Sequence, residues 1–312
     1  MPDASIAVSH LTRSYGKRRG VVDLDFTVGA GEIFGFLGPN GAGKTTTIRL
    51  LMGLLRPGAG GARICGLDCW RDAPAVKARV GFLPGEIHLY EKMTGAAFVD
   101  FFAAFRGGPA PRRDEFVERL QLDLAPRIRH LSKGNRQKLA VVQALMHDAP
   151  VLILDEPSSG LDPLMQAELI EVLREEQQRG KTIFLSSHTL SEVERVAQRV
   201  AIIREGRIVA IEDVEHLRAT RERRMEVLLH QPVDPAVFEA LPGVRFLTTH
   251  ADGCHVDLAV SGNPRALLEL LGTLPIDDLV YGPPDLESVF LRYYDRADSV
   301  AANADRSAEA RR

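Results

Sequence analysis

The stretch Gly38-Pro39-Asn40-Gly41-Ala42-Gly43-Lys44-Thr45-Thr46 constrains this chain more than any other. It satisfies G-x-x-x-x-G-K-[ST] at every fixed position, a pattern that belongs between a buried strand and the start of a helix. The flanks agree. Glu32-Ile33-Phe34-Gly35-Phe36-Leu37 is a short apolar run that reads as a buried strand, and Thr46 through Met52 is apolar at helical spacing. Gly38, Gly41 and Gly43 let the backbone curl tightly and turn its N–H groups inward toward an anion. The helix that follows adds the positive end of its dipole. Lys44 can place an ammonium on the β- and γ-phosphates, and the Thr45 hydroxyl can hold Mg²⁺. An ordinary glycine turn would account for the glycines but not for Lys-Thr in register. The chain is therefore expected to bind a nucleoside triphosphate with Mg²⁺.

Around this loop, Ile6 to Leu11 and Val21 to Val28 alternate as strands. Ser14-Tyr15-Gly16 reads as a turn before the basic run Lys17-Arg18-Arg19, and another short strand falls near Ala62 to Cys65. Residues of about 72 to 145 read as largely helical. Phe98, Phe101, Phe102 and Phe105 fall on one helical face, most simply a core stripe, with a docking groove as the lesser reading. Phe116, Leu120 and Leu122 suggest a second helix.

Val151-Leu152-Ile153-Leu154-Asp155-Glu156 is an unbroken apolar strand ending in two carboxylates. A helix (Met165 to Arg179), a strand (Thr182 to Ser187), a helix (Leu190 to Gln198) and a strand (Val200 to Ile203) follow. That alternation predicts a parallel α/β sheet, whose ligands bind beyond the carboxyl ends of the strands. The glycine loop, Asp155-Glu156 and His188 all come just after strands, hence on one rim. The charged segment Arg218 to Arg224 reads as a linker end before a small α+β domain (strands Met225 to Leu229 and Cys254 to Val260, helix Pro264 to Leu271). Residues 298–312 are expected to be a disordered tail.

The 312 residues suffice for one large domain and a smaller one, and a net charge of -3 gives no pull toward nucleic acid. Cys65, Cys69 and Cys254 form no zinc spacing and read as small buried thiols. The N-terminus lacks a basic region followed by an apolar stretch, and no apolar run is long enough to cross a bilayer. A soluble chain without a leader is expected, with any membrane role coming through a partner.

The loop at Gly38–Thr46, His130-Leu131-Ser132-Lys133-Gly134-Asn135-Arg136-Gln137, the strand into Asp155-Glu156, Ser159-Gly160-Leu161-Asp162 and His188 occur in an order and spacing that resemble an ABC-transporter nucleotide-binding subunit. The likeness covers roughly residues 5 to 215. The remainder is similar to the small C-terminal domain of ABC-2-type exporter subunits, with Pro284 to Tyr294 as its best marker. The resemblance implies a P-loop NTPase core of the ABC ATPase type, with an antiparallel β subdomain, a RecA-like parallel sheet and a helical subdomain at about 86–145. Its implied boundaries are 5–217 for the cassette, 218–297 for a small α+β accessory domain and 298–312 for the tail.

It also implies roles. Gly38, Pro39, Asn40, Gly41, Ala42, Gly43, Lys44, Thr45 and Thr46 would cradle ATP. Asp155 would hold Mg²⁺ with Thr45, Glu156 would deprotonate the attacking water, and His188 would contact the γ-phosphate. Tyr15 resembles the residue that stacks on adenine. Ser132 and Gly134 would donate to the γ-phosphate of a second protomer, so a homodimer and a separate membrane permease are the expected partners, with the chain peripheral on the cytoplasmic face. Asp162 is expected at the dimer face, or else as a helix N-cap. One departure stands out: Gly85 occupies the place of the family's glutamine, with Glu86 one residue out of register as a doubtful Mg²⁺ ligand. Lys133 and Asn135 also stand where glycine and glutamine are commoner, which reads as a subfamily trait. The competing functions are an ABC ATPase acting on the ribosome or DNA, disfavoured by a single cassette and acidic balance, and a non-hydrolysing ATP-binding module, disfavoured by Glu156 and His188.

Overall fold

The computed structural model describes residues 4–16, 18–107, 110–219, 223–250 and 253–284. The chain divides into two compact units, Met1–Glu212 and Asp213–Arg312.

The first unit opens with β1 (Ala4–Tyr15), β2 (Arg18–Gly29) and β3 (Ile33–Leu37), followed by α1 (Lys44–Leu51), β4 (Ala59–Ile64), β5 (Leu67–Asp68), α2 (Ala73–Ala78) and β6 (Val80–Leu83). Three helices come next, α3 (Gly95–Phe105), α4 (Arg113–Arg119) and α5 (Lys133–Leu145), then β7 (Val151–Asp155), α6 (Pro163–Gln178), β8 (Thr182–Ser187), α7 (Leu190–Val196), β9 (Arg199–Arg204) and β10 (Arg207–Asp213). These build an antiparallel sheet ordered β2-β1-β4-β5 and a second sheet ordered β10-β9-β3-β8-β7-β6. Parallel pairing joins β9, β3, β8, β7 and β6. All of β3, β7 and β8 is buried, as expected of strands covered on both faces.

Four rings weld the two sheets. Phe26 of β2 stacks on Phe34 at 5.6 Å, and Phe184 of β8 lies 5.2 Å from Phe36 and 6.1 Å from Phe34. Such pairs are worth about 0.5–1.5 kcal/mol each beyond the area they bury. This core fixes the glycine loop from below, because β3 runs directly into it.

The helical segment is tied to the parallel sheet by charge. Arg106, at the end of α3, donates to the carbonyls of Lys77, at 2.8 Å, and Val80. Glu176 of α6 is fully buried and pairs with Arg112 and Lys181, and Lys181 also reaches Asp148 at 2.7 Å.

The fold departs from expectation in places. Ser14 and Tyr15 continue β1; only Gly16 is the turn. In the span read as helical, α2 gives way to strand β6, and the backbone from 84 to 94 is irregular before α3 begins at Gly95. Phe98 is buried, but Phe101 is 44% and Phe105 77% exposed, so the stripe is not a core stripe. Of the cysteines only Cys69 is fully buried, which pushes its thiol up to about 12.

The second unit contains α8 (Val214–Ala219), β11 (Arg223–Leu229), α9 (Ala236–Glu239), β12 (Val244–Thr249), β13 (His255–Val260), α10 (Arg265–Leu271) and β14 (Ile276–Pro284). Its antiparallel sheet has the order β12-β13-β11-β14. Met225, Val227, Leu229, Val256, Leu258 and Val260 alternate along β11 and β13 onto one face, where Phe238, Leu267 and Leu271 cover them. The family marker at 285–294, the tail at 298–312 and part of the expected linker (220–222) lie outside the described residues.

No helix among the described residues is long and apolar enough to cross a membrane.

Candidate active site

The carboxyl ends of β3, β6, β7 and β8 meet at one edge of the parallel sheet, and a cleft of about 510 Å³ opens there. Its walls include Pro39, Asn40, Gly41, Gly43, Lys44, Thr45 and Thr46 from the glycine loop, Gly85, Glu86 and His88 after β6, and Asp155 and Glu156 after β7.

The loop's shape is set by Gly43, which caps α1 at φ 117, a conformation that strains any side chain. No side-chain oxygen caps α1, so its first N–H groups are left to an anion. Ala42 donates to Pro39 O at 3.1 Å and accepts from Gly206 N at 2.8 Å, while Gly206 O accepts from Val22 N at 2.8 Å. The β9–β10 turn thereby ties the glycine loop to β2.

Lys44 is buried. Its Nζ donates to Gly38 O at 2.6 Å and lies 3.3 Å from Glu156 Oε1. Thr45 Oγ1 donates to Asp155 Oδ2 at 3.1 Å, and Ser186 Oγ donates to Asp155 Oδ1. Glu156 sits at φ 52, left-handed for a non-glycine, a geometry that costs on the order of 1–3 kcal/mol. Its N–H is held by Ser186 O at 3.1 Å. His188 Nδ1 lies 2.6 Å from Glu156 Oε2. A carboxylate only accepts, so Nδ1 carries the proton. Glu156 Oε1 is buried with no hydrogen-bond donor.

An oxygen orphaned beside an ammonium, with a hydroxyl and a carboxylate 3.1 Å apart next to it, suits a triphosphate and Mg²⁺, which takes one or two carboxylates plus phosphate oxygens.

Gly85 approaches Asp155 so closely that an added Cβ would lie 2.8 Å from Oδ2. Glu86 is exposed, and its carboxylate faces His88 Nε2 at 4.0 Å. Tyr15 is half-exposed, with the Arg13 guanidinium 5.6 Å from its ring centroid. It is not on the cleft walls, but its ring packs beside Gly20, which is.

Ser132 and Gly134 lie off these walls too. Ser132 caps α5, its Oγ accepting from Asn135 N at 3.2 Å. Gly134 abuts the loop after β7, where an added Cβ would stand 3.0 Å from Gly160 O. Asp162 caps α6 by accepting from Leu164 N and Met165 N at 3.1 and 3.0 Å.

Sequence reasoning missed two residues of this arrangement. Ser186 stands opposite Asp155 in the β7–β8 register, a pairing its sequence position alone does not reveal. Gln137 is buried and donates to Pro157 O at 2.8 Å, joining α5 to the loop that carries Glu156.

Known proteins resemble this chain. A family profile described as "ABC transporter" matches residues 21–159. Nod factor export ATP-binding protein I of Paraburkholderia xenovorans (strain LB400) is 41% identical over 217 residues, covering 67% of this chain and 71% of that protein. Daunorubicin resistance ATP-binding protein DrrA3 of Streptomyces coeruleorubidus is 33% identical over 305 residues, covering 93% and 96%. A solved ATP-binding subunit of an ABC transporter superposes with a TM-score of 0.64 at 30% identity, covering 68% of this chain and 91% of that one. A dimeric ATP-binding cassette bound to ADP and Pi shares the fold, with a TM-score of 0.60 at 19% identity over 67% of this chain and 98% of its own.

Proposed function

The chain belongs to the ABC transporter family of ATP-binding subunits, and from that premise we propose that it is the ATP-hydrolysing component of an exporter whose membrane pathway lies in a separate polypeptide. Two relatives are named for export of Nod factor and for daunorubicin resistance, which supports an export role over one on the ribosome or DNA.

The observation that carries the reading is the position of Lys44 Nζ, between Gly38 O at 2.6 Å and Glu156 Oε1 at 3.3 Å. One cation links the phosphate loop to the carboxylate best placed to act as base. When a triphosphate enters, Lys44 exchanges these partners for phosphate oxygens, and the N–H groups of Gly41 through Thr46 close round the anion. Thr45 and Asp155 would hold Mg²⁺, which neutralises charge on the phosphates. Glu156 takes the proton of the attacking water, a role worth about 10²- to 10⁴-fold in rate. His188 anchors Glu156 through Nδ1 and presents Nε2 toward the γ-phosphate position. Tyr15 stacks on the adenine.

Ser132 and Gly134, being off the cleft walls, serve a second copy of the chain. The closed state is then a sandwich of two chains around two ATP molecules, a population shift set by differential ATP affinity. The proposed boundaries are 5–217 for this cassette and 218–297 for an accessory domain, whereas the compact units divide at Glu212 and Asp213. The permease docks in the apolar groove of about 670 Å³ that Phe98, Phe102 and Phe105 line with Met52 and Ile87. That groove shares Leu54, Phe82, Pro84 and His88 with the nucleotide cleft, so the loop at 84–88 contacts both ligands. The chain thereby sits peripherally on the cytoplasmic face of the membrane.

Steady-state phosphate release by the purified chain tests the catalytic part. Turnover should require Mg²⁺ and fall at least about 100-fold in Lys44→Ala, the scale of losing one charge-stabilising donor. Equal rates in the two proteins would remove Lys44 from the mechanism.

A further inference from the structure

The second unit contains a cluster that the ATPase reading leaves unused. Strand β13 alternates strictly: Val256, Leu258 and Val260 face the apolar core, so His255 and Asp257 share the opposite face. The hairpin with β12 brings in a third residue. His250 N–H donates to His255 O at 3.0 Å, Thr249 Oγ1 donates to the same carbonyl at 3.1 Å, and Gly253 N closes the turn on His250 O at 2.9 Å. The two imidazoles stack with centroids 4.3 Å apart and planes at 20°. One ligand atom from each of His250, His255 and Asp257 lies within 4.8 Å of the other two.

Asp257 makes the cluster more than a chance grouping. Its side chain is 1% exposed. Oδ2 accepts from Arg224 NH2 at 2.5 Å, whereas Oδ1 is buried and has no hydrogen-bond partner among the described residues. A buried carboxylate oxygen without a donor has lost its hydration uncompensated, so a ligand that satisfies it is favoured. The other His/Asp grouping among the described residues, His10 with Asp23 and Asp25, differs on this point. Its three side chains are exposed, and its carboxylates already pair with His10 Nδ1 at 2.9 and 3.2 Å.

We propose that His250, His255 and Asp257 form a binding site for a divalent transition metal of the Zn²⁺ type. Two imidazoles and one carboxylate suit such ions, whereas Mg²⁺ and Ca²⁺ take oxygen ligands. Three protein ligands leave a fourth position for water. Near-parallel stacked rings do not aim both nitrogen lone pairs at one point, so the imidazoles tilt out of their stack to close on the ion. His250, at the exposed end of the hairpin, has the room to do so. Arg224 holds Oδ2 and so fixes the carboxylate, the outer-shell role that metal-binding carboxylates require. Bound metal cross-links β12 to β13 and stabilises the second unit by mass action. The proposal does not depend on the ATPase assignment.

The test uses the full-length chain, stripped with chelator and free of nucleotide. ZnCl2 is titrated by calorimetry, and CoCl2 is added to read d–d absorption. The expected result is one ion per chain, visible Co²⁺ bands of low-coordinate type, and a rise in melting temperature with Zn²⁺. His250→Ala, an exposed change that spares the core, should weaken Zn²⁺ binding about 100-fold and abolish the bands. His255→Ala should do the same, and His10→Ala should leave binding unchanged. The proposal is overturned by no binding at stoichiometric Zn²⁺. It is also overturned by wild-type binding in both histidine variants, or by loss confined to His10→Ala.

Discussion

Gly85 lies against the carboxylate of Asp155, with an added Cβ placed 2.8 Å from Oδ2 and 3.0 Å from Cγ. Asp155 cannot easily yield, because Thr45 and Ser186 hold its two oxygens and its side chain is buried. The residue expected here in the family is a glutamine, and this chain has no room for one with Asp155 in place. Gly85→Gln should therefore fail to improve hydrolysis. The expected result is a kcat lower by about 10- to 100-fold, the scale of a misplacement near 1 Å, with a raised Mg²⁺ requirement. Phosphate-release rates across a Mg²⁺ titration check this; a rate at or above wild type would show that the loop moves freely.

Whether this relationship could be read in advance turns on strand register. The departure at Gly85 is visible in the sequence, but its nearness to Asp155 follows from β6 pairing in parallel with β7, Leu83 opposite Leu154. The glycine loop, Asp155-Glu156 and His188 were legible because each follows an apolar run that can only be a buried strand, and buried parallel strands share an edge. Ser186 was hidden for the same reason as Gly85. The phenylalanine stripe gave the helical period correctly, but period does not say whether a neighbour covers the face, and Phe105 is left 77% exposed. Strands β10, β12 and β14 escaped notice because charged residues, a proline and half-exposed positions blur their alternation. His255 and Asp257 stand two apart in plain view, yet only the hairpin supplies His250.

Glu176 is fully buried between Arg112 and Lys181 and links α6 to the start of α4 and of β8. Glu176→Gln keeps the shape but leaves two cations facing a neutral group. Breaking a buried pair in this way costs about 3–5 kcal/mol. For a unit of this size the loss corresponds to a melting temperature lower by roughly 6–12 °C at the lower figure. Calorimetry of both proteins at neutral pH checks it, and an unchanged midpoint would mean that Asp148 takes over the charge.

His147 has its pKa lowered to about 4 by burial, and further by the Arg106 guanidinium, and its Nε2 has no hydrogen-bond partner. Between about 4 and the ordinary value of 6.5, the unfolded chain binds this proton and the folded chain does not. Stability therefore rises with pH across that window and is lost as pH falls through 6.5 toward 4. Asp148, held down by Lys181, and Glu115, held down by Arg112, lose their contributions as pH falls from their ordinary carboxylate values of 3.8 and 4.5 downward. Urea midpoints measured from pH 7.5 to 4.5 should fall in wild type and flatten in His147→Gln. Parallel curves for the two would contradict the assignment to His147.

In the proposed closed state ATP brings two copies of this chain together, with Ser132 and Gly134 of one facing the phosphates held by Lys44 of the other. Glu156→Gln should stop hydrolysis while leaving the phosphate loop intact, trapping that state. Size-exclusion chromatography with light scattering on this variant, with and without Mg²⁺-ATP, measures it directly. The predicted result is a monomer that becomes a dimer only when ATP is present. A variant that binds ATP at saturation yet stays monomeric would contradict the account.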